Sequence, residues 1–298
     1  MARHTFEDVC DLLASFLAPN ERTPLPGLVL GPLEYDGARI STILMADHVT
    51  ELVLHEAVAI GAQLVVSRIS PLSGDGAAGG VRVHRLVSAR ADSAAHVAMM
   101  CAKHGIGVFA FGGGQDHADG GIEQWLCAVL GAGSEVPLIP HPPPHTESGR
   151  GRLLTLDPPL LLRTCVNSLR TRGAAPQVTI APAIKFYLDA PSTEIEAAVK
   201  RALDSQPIKT IAVCFGDDAD EVLRTCTSAQ VFVASELSTE SALAANDRGV
   251  TVVLIGDCVG REFFGFLVDR LQTVLNPIEL VVSKASANPL RHVDIVRL

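Results

Sequence analysis

Residues 40–67, ISTILMADHVTELVLHEAVAIGAQLVVS, and residues 208–234, IKTIAVCFGDDADEVLRTCTSAQVFVA, read as one plan used twice. Each is an apolar run, an acidic loop, a helical stretch, then Ala-Gln and a second short apolar run. Ala62-Gln63-Leu64 matches Ala229-Gln230-Val231. The match continues in GIGVFAFGG (105–113) and GVTVVLIGD (249–257), each preceded by a helical stretch, about 92–104 and about 239–247. A duplicated β-α-β-α-β order constrains this chain more than its composition does, because strands alternating with helices bury their faces in layers. The expected fold is α/β: two related α/β lobes with layered sheet-and-helix packing and a cleft between them.

The rest of the chain fits around that repeat. Thr5, with Asp8 three residues on, is a cap for a helix whose Phe6, Val9, Cys10, Leu13, Phe16 and Leu17 share one face. Strands are expected at 27–31, 39–46, 177–182 and 278–283, with further helices at 121–130, 193–205 and 262–274. The segment GAGSEVPLIPHPPPHTESGRGR (131–152) has the composition of a connector. Three prolines between His141 and His145 hold those rings on a rigid rod, which favours a solvated connector over a metal site. The expected division is a first lobe over 1–135, a linker over 136–152 and a second lobe over 153–298, with an extra segment near 183–206. SGDGAAGG (73–80) reads as a flexible loop.

Composition excludes several functions. Apolar residues make up 48% of the 298 residues, too many for a disordered chain. No apolar run approaches a membrane-spanning length, and Glu7, Asp8 and Asp11 break up any leader-like N-terminus, so the expected location is the cytosol. A net charge of −9 with 4% aromatics supplies neither a basic groove nor stacking platforms for nucleic acid. Seven scattered cysteines without a CxxC pair read as reduced thiols.

Sites in α/β sheets lie beyond the carboxyl ends of strands. Here those ends are Ser67 to Pro71, Gly112 to Asp116, Ala234 to Glu236, and Gly256-Asp257. Asp116, Asp257 and Glu262 form a candidate carboxylate set for a divalent ion such as zinc, manganese or iron. The competing reading is that acids at 119, 257 and 262 serve helix starts. Arg68, Arg261, Gly112, Gly113 and Glu236 are candidates to line a cleft or hold a small anionic ligand. Arg68 equally suits an ion pair with Asp116 or Asp257. The glycines at 112–114 match neither a Rossmann fingerprint nor a P-loop, and no nucleophile elbow is present.

GLVLG, Thr50-x-x-Val53-x-x-x-Ala57, AQLVVS, GIGVFAF, GGIEQWL (120–126), GRGRLLTL, AQVFVASE, GVTVVLIGD and ANP (287–289) stand in an order and spacing that resembles the NIF-three-like family, also called GTP cyclohydrolase I type 2-like proteins. The resemblance covers nearly the whole chain. It implies a two-metal site, a homo-oligomer with a hexameric ring, and hydrolase-like chemistry. It also implies ligands from His-His-Pro, His-Thr-x-x-Asp and Gly-His-x-x-x-Glu patterns. At those positions this chain has Arg68 and Ile69 with Pro71 shifted, Gly112 with Asp116 kept, Gly256-Asp257, and Arg261 beside Glu262.

Isoleucine has no lone pair for a metal, and a guanidinium repels one. Two unit charges about 4 Å apart at an effective dielectric near 20 interact by about 4 kcal/mol, and by about twice that against a dication. The first functional expectation is therefore a degenerate metal site in a non-catalytic binding or scaffold protein, a pseudoenzyme. The alternative is a metal-dependent hydrolase acting on a nucleotide or other phosphorylated small molecule through Asp116, Asp257 and Glu262. A third is an anion-binding module using Arg68 and Arg261.

Overall fold

The structure is a computed structural model that describes residues 5–16, 27–31, 39–72, 93–112, 116–118, 120–143, 146–172, 175, 177–188, 195–205, 207–256 and 261–285. The loop at 73–80 lies outside them. The described residues fall into two compact units.

The first unit opens with α1 (Phe6–Phe16). Thr5 N donates to the Asp8 carboxylate at 2.8 Å and Asp8 N donates to Thr5 Oγ1 at 3.2 Å, the reciprocal cap the sequence indicates. Phe6, Val9 and Leu13 are buried along one face. Then come β1 (Gly27–Leu30), β2 (Thr42–Ala46), α2 (Glu51–Ile60), β3 (Leu64–Ser67), α3 (Ser93–His104) and β4 (Gly107–Ala110). Parallel β2, β3 and β4 are neighbours, and β1 lies antiparallel beside β4. Every residue of the three parallel strands is buried, which is why they read as unbroken apolar runs rather than alternating ones.

The second unit holds α4 (Ile122–Leu130), β5 (Gly133–Pro140), β6 (Gly149–Leu161), α5 (Leu162–Thr171), β7 (Thr179–Ala181), α6 (Lys185–Leu188), α7 (Ile195–Asp204), β8 (Pro207–Cys214), α8 (Ala219–Thr225), β9 (Val231–Ala234), α9 (Thr239–Asp247) and β10 (Thr251–Leu254). Here β8, β9 and β10 are parallel, with β7 antiparallel beside β10. The order β1-β4-β3-β2 thus recurs as β7-β10-β9-β8. The described residues close with α10 (Arg261–Leu275) and β11 (Glu279–Val282).

The repeat extends to single contacts. Gln63 Oε1 accepts from Ser41 N and Thr42 N at 2.8 and 3.0 Å, and Gln230 Oε1 accepts from Lys209 N and Thr210 N at 2.7 and 3.2 Å. In each half the glutamine of the Ala-Gln pair satisfies two successive backbone amides just before the neighbouring strand starts its parallel pairing. Core volume is exchanged across the sheet: the pair Leu44–Val65 in the first half is Ala212–Phe232 in the second. A large residue moves to the opposite strand, so the layer stays filled.

The packing divides the chain differently from the expected 1–135, 136–152 and 153–298. Residues 136–152 are no connector: β5 and β6 pair antiparallel over most of them, with Pro137 opposite Arg152. Proline is tolerated because β5 is an edge strand, where an absent N–H breaks no ladder. The C-terminal part also departs from the expected second lobe. From Phe264 onward it joins the first unit, with β11 parallel to β2.

Candidate functional site

At the ends of β2, β3 and β4 the backbone ladder continues past the strands. Arg68 N donates to Ala46 O at 3.2 Å, Ile69 N to Asp47 O at 3.0 Å and Gly112 N to Arg68 O at 2.8 Å. Gly112, at φ 69°, takes the left-handed turn that a side chain resists. This ladder sets Asp47, Arg68 and Gly112 side by side. Arg68 is 6% exposed, and its Nε donates to Asp47 Oδ1 at 2.6 Å. His48 Nδ1 lies 2.7 Å from Asp47 Oδ2. Burial alone would raise the Asp47 carboxyl, but the hydrogen bonds and charges of His48 and Arg68 outweigh it and hold it below its ordinary 3.8. Arg68 thus pairs with Asp47, which the sequence reading passed over as part of an acidic loop.

In the second unit the residues matching Arg68 and Asp47 are uncharged. Ser235 takes the place of Arg68, and its Oγ accepts from Gly216 N at 3.0 Å. Gly256 N donates to Ser235 O at 3.0 Å, and Gly256 shares the left-handed turn of Gly112 at φ 67°. A cleft of about 290 Å³ opens here, lined by Gly216, Asp217, Asp220, Glu236 and Ser238 among others, with no basic side chain among the described residues of its lining. Glu236 shares this lining with the acids Asp217 and Asp220.

Behind these ends lies a buried polar network. Glu123 on α4 is fully buried, and its Oε1 accepts from Gly151 N at 3.2 Å and Phe215 N at 3.1 Å. His117 Nδ1 is 3.1 Å from the same oxygen, and its Nε2 is 3.6 Å from Asp218 Oδ2. Arg150 meets Asp218 at 3.5 Å and binds Glu221 through both terminal nitrogens at 2.6 and 2.9 Å. Burial would lower the His117 pKa, but Glu123, Asp116 and Asp218 outweigh it and raise it above the ordinary 6.5.

Asp116 is 4% exposed and belongs to this unit. Glu262 is exposed in the first turn of α10, Arg261 begins that helix, and Asp257 and Gly113 lie outside the described residues. Among the described residues, no three His, Cys, Asp or Glu side chains are placed to hold a metal ion. Burial pushes the Cys101 and Cys165 thiols up to about 11, so neither is a thiolate nucleophile at neutral pH. No described helix is long and apolar enough to cross a membrane.

A model of the Duf34/NIF3 (NGG1p interacting factor 3) family matches residues 6–289. The chain belongs to the NIF3 family. NIF3-like protein 1 of Rattus norvegicus is 32% identical over 142 residues, and that of Homo sapiens 31% over 142. These matches take in 47% of this chain and only 37% of each relative's length. Among solved structures, a Bacillus cereus protein related to NIF3 superposes with a TM-score of 0.74 at 15% identity, covering 98% of this chain and 100% of that one. Reduced HcgD from Methanocaldococcus jannaschii gives 0.67 at 13%, covering 95% and 99%. At such identities the structural likeness is one of fold.

Set against the ligand pattern that the sequence resemblance implies, this NIF3 chain keeps a carboxylate at Asp116 but carries non-ligating side chains at three other described positions. A buried guanidinium already bound to a carboxylate stands at 68, a hydrocarbon branch at 69 and a glycine at 112. None of the three offers a side-chain lone pair for a metal.

Proposed function

We propose that this NIF3-family chain has a degenerate metal site and acts as a non-catalytic binding or scaffold protein. The observation that carries the reading is the buried Arg68–Asp47 pair at 2.6 Å. A cation fixed among the strand ends occupies a position where the resemblance implies an imidazole ligand. Its charge opposes a dication, and its nitrogens have no lone pair to offer. Assembly as a homo-oligomer, with a hexamer implied by the resemblance, goes with this reading and is checked by light scattering. An anionic ligand is disfavoured at Arg68 and at Glu236. Arg68 is engaged by Asp47, and Glu236 lines a cleft with Asp217 and Asp220.

The experiment is metal analysis of the purified full chain after incubation with zinc, manganese or ferrous iron. Substoichiometric metal, unchanged by Asp116→Ala, is expected. Stoichiometric metal lost in that variant would overturn the reading and favour the hydrolase alternative. That alternative would use Asp116, Asp257 and Glu262 on a nucleotide or other phosphorylated small molecule.

A further inference from the structure

Three side chains packed around α4 carry buried polar atoms that no protein group satisfies. Arg152 on β6 is 3% exposed, and neither its Nε nor its Nη2 has a hydrogen-bond partner. Glu123 commits Oε1 to two backbone amides and to the neighbouring His117 Nδ1, and leaves Oε2 buried without a hydrogen-bond partner. Glu135 on β5 accepts from Gln124 Nε2 with Oε1, and its Oε2 is likewise buried and unpartnered.

The fold brings the three together. Glu135 pairs with Leu154 and Pro137 with Arg152, so Glu135 and Arg152 project from the same face of the β5–β6 ladder, diagonally across it. Glu123 reaches down to the backbone N of Gly151, next to Arg152. Cys127 lies among all three: burial drives its thiol pKa well up, the charge of Glu135, a hydrogen bond to it and the charge of Glu123 raise it further, and Arg152 opposes them. Yet no ion pair joins Arg152 to either acid.

Unmet donors and unmet acceptors thus share one buried region without touching. Buried polar atoms in native proteins find a partner, and where protein groups do not reach, ordered water making two to four hydrogen bonds supplies it. The charges restrict the occupant. A further anion would face two carboxylates, and a metal cation would face the guanidinium. Only a small neutral molecule that both donates and accepts meets every open valence.

We infer that ordered water fills the space among Arg152, Glu135 and Glu123 and bridges them. The water accepts from Arg152 Nε and Nη2 and donates to Oε2 of Glu135 and Glu123. The contact of α4 with the β5–β6 hairpin is then a wet one.

Oxygen-17 magnetic relaxation dispersion on the full chain counts long-lived internal waters. Arg152→Met, confirmed as folded by circular dichroism, is expected to lower the dispersion amplitude by at least one water. An unchanged amplitude in the folded variant would overturn the inference. Should the variant not fold, a high-resolution crystal structure of the unaltered chain decides. Water density within hydrogen-bond distance of both Arg152 and an Oε2 of Glu135 or Glu123 supports the inference. Empty space, a direct Arg152–glutamate pair or density for an oxyanion there would overturn it.

Discussion

The ends of β2 and β3 and the ends of β8 and β9 have the same backbone plan, with a charged side-chain pair in the first and an uncharged one in the second. In the first, Arg68 reaches across to Asp47, a buried ion pair. In the second, the matching residues are Ser235 and Phe215. A hydroxyl accepts from Gly216 N, and the amide of Phe215 goes to the buried Glu123. A strand end needs its outgoing backbone groups satisfied and its side chains compatible with burial. A neutral solution costs little to keep. A charged one holds only while both partners are present, because either charge alone is stranded in a poor solvent.

That contrast can be broken most forcefully at Asp47. Asp47→Ala removes the carboxylate to which the buried Arg68 Nε donates, and a loss of about 3 kcal/mol is expected in urea unfolding. A loss below about 1 kcal/mol would show the pair to be open to water. Next comes Glu123→Ala, which leaves the amides of Gly151 and Phe215 without an acceptor. About 3 kcal/mol is expected by the same measurement, with partial recovery in Glu123→Gln, which keeps one carbonyl oxygen. The glutamines probe the shared plan rather than the contrast. Gln63→Ala and Gln230→Ala should each cost about 1.5 kcal/mol, and a difference above about 1 kcal/mol between them would separate the two halves at this point. Ser235→Ala, the neutral counterpart of the first variant, should cost only about 1 kcal/mol.

The two regions also part in their response to pH. The folded Asp47 carboxyl lies below 3.8, so its contribution is fully present above about pH 3.8 and is lost as pH falls through the lower, folded value. The folded His117 imidazole lies above 6.5, so its contribution is complete below about pH 6.5 and fades as pH rises through the higher, folded value. His117→Gln should therefore flatten the decline of stability on the alkaline side and leave the acid arm unchanged. Urea midpoints measured across both ranges check this. An alkaline slope identical to the parent's would remove His117 from the account.

How much of this was legible beforehand follows a physical division. The parallel strands showed because burial on both faces demands unbroken apolar runs, and the duplication showed because Ala-Gln and the flanking runs are local patterns. β5 was hidden, since proline and glycine mark a connector unless one knows the strand lies at an edge. Arg68 was recognised as a cation at a strand end, but its partner was not. Asp47 is 21 residues away and comes within reach only through the β2–β3 register. Glu123 looked like one polar residue in GGIEQWL. Nothing in that string says that the carboxylate faces the amides of Gly151 and Phe215, the second of them 92 residues on.

The string of residues was enough to set the α/β class and the twofold use of one strand-helix plan, since both rest on periodicities a few residues long. Which charge meets which, where β11 returns, and which nitrogens of Arg152 go without a protein partner depend on contacts between distant segments. Such contacts exist only once the sheets have formed, and burial then decides what each charge is worth.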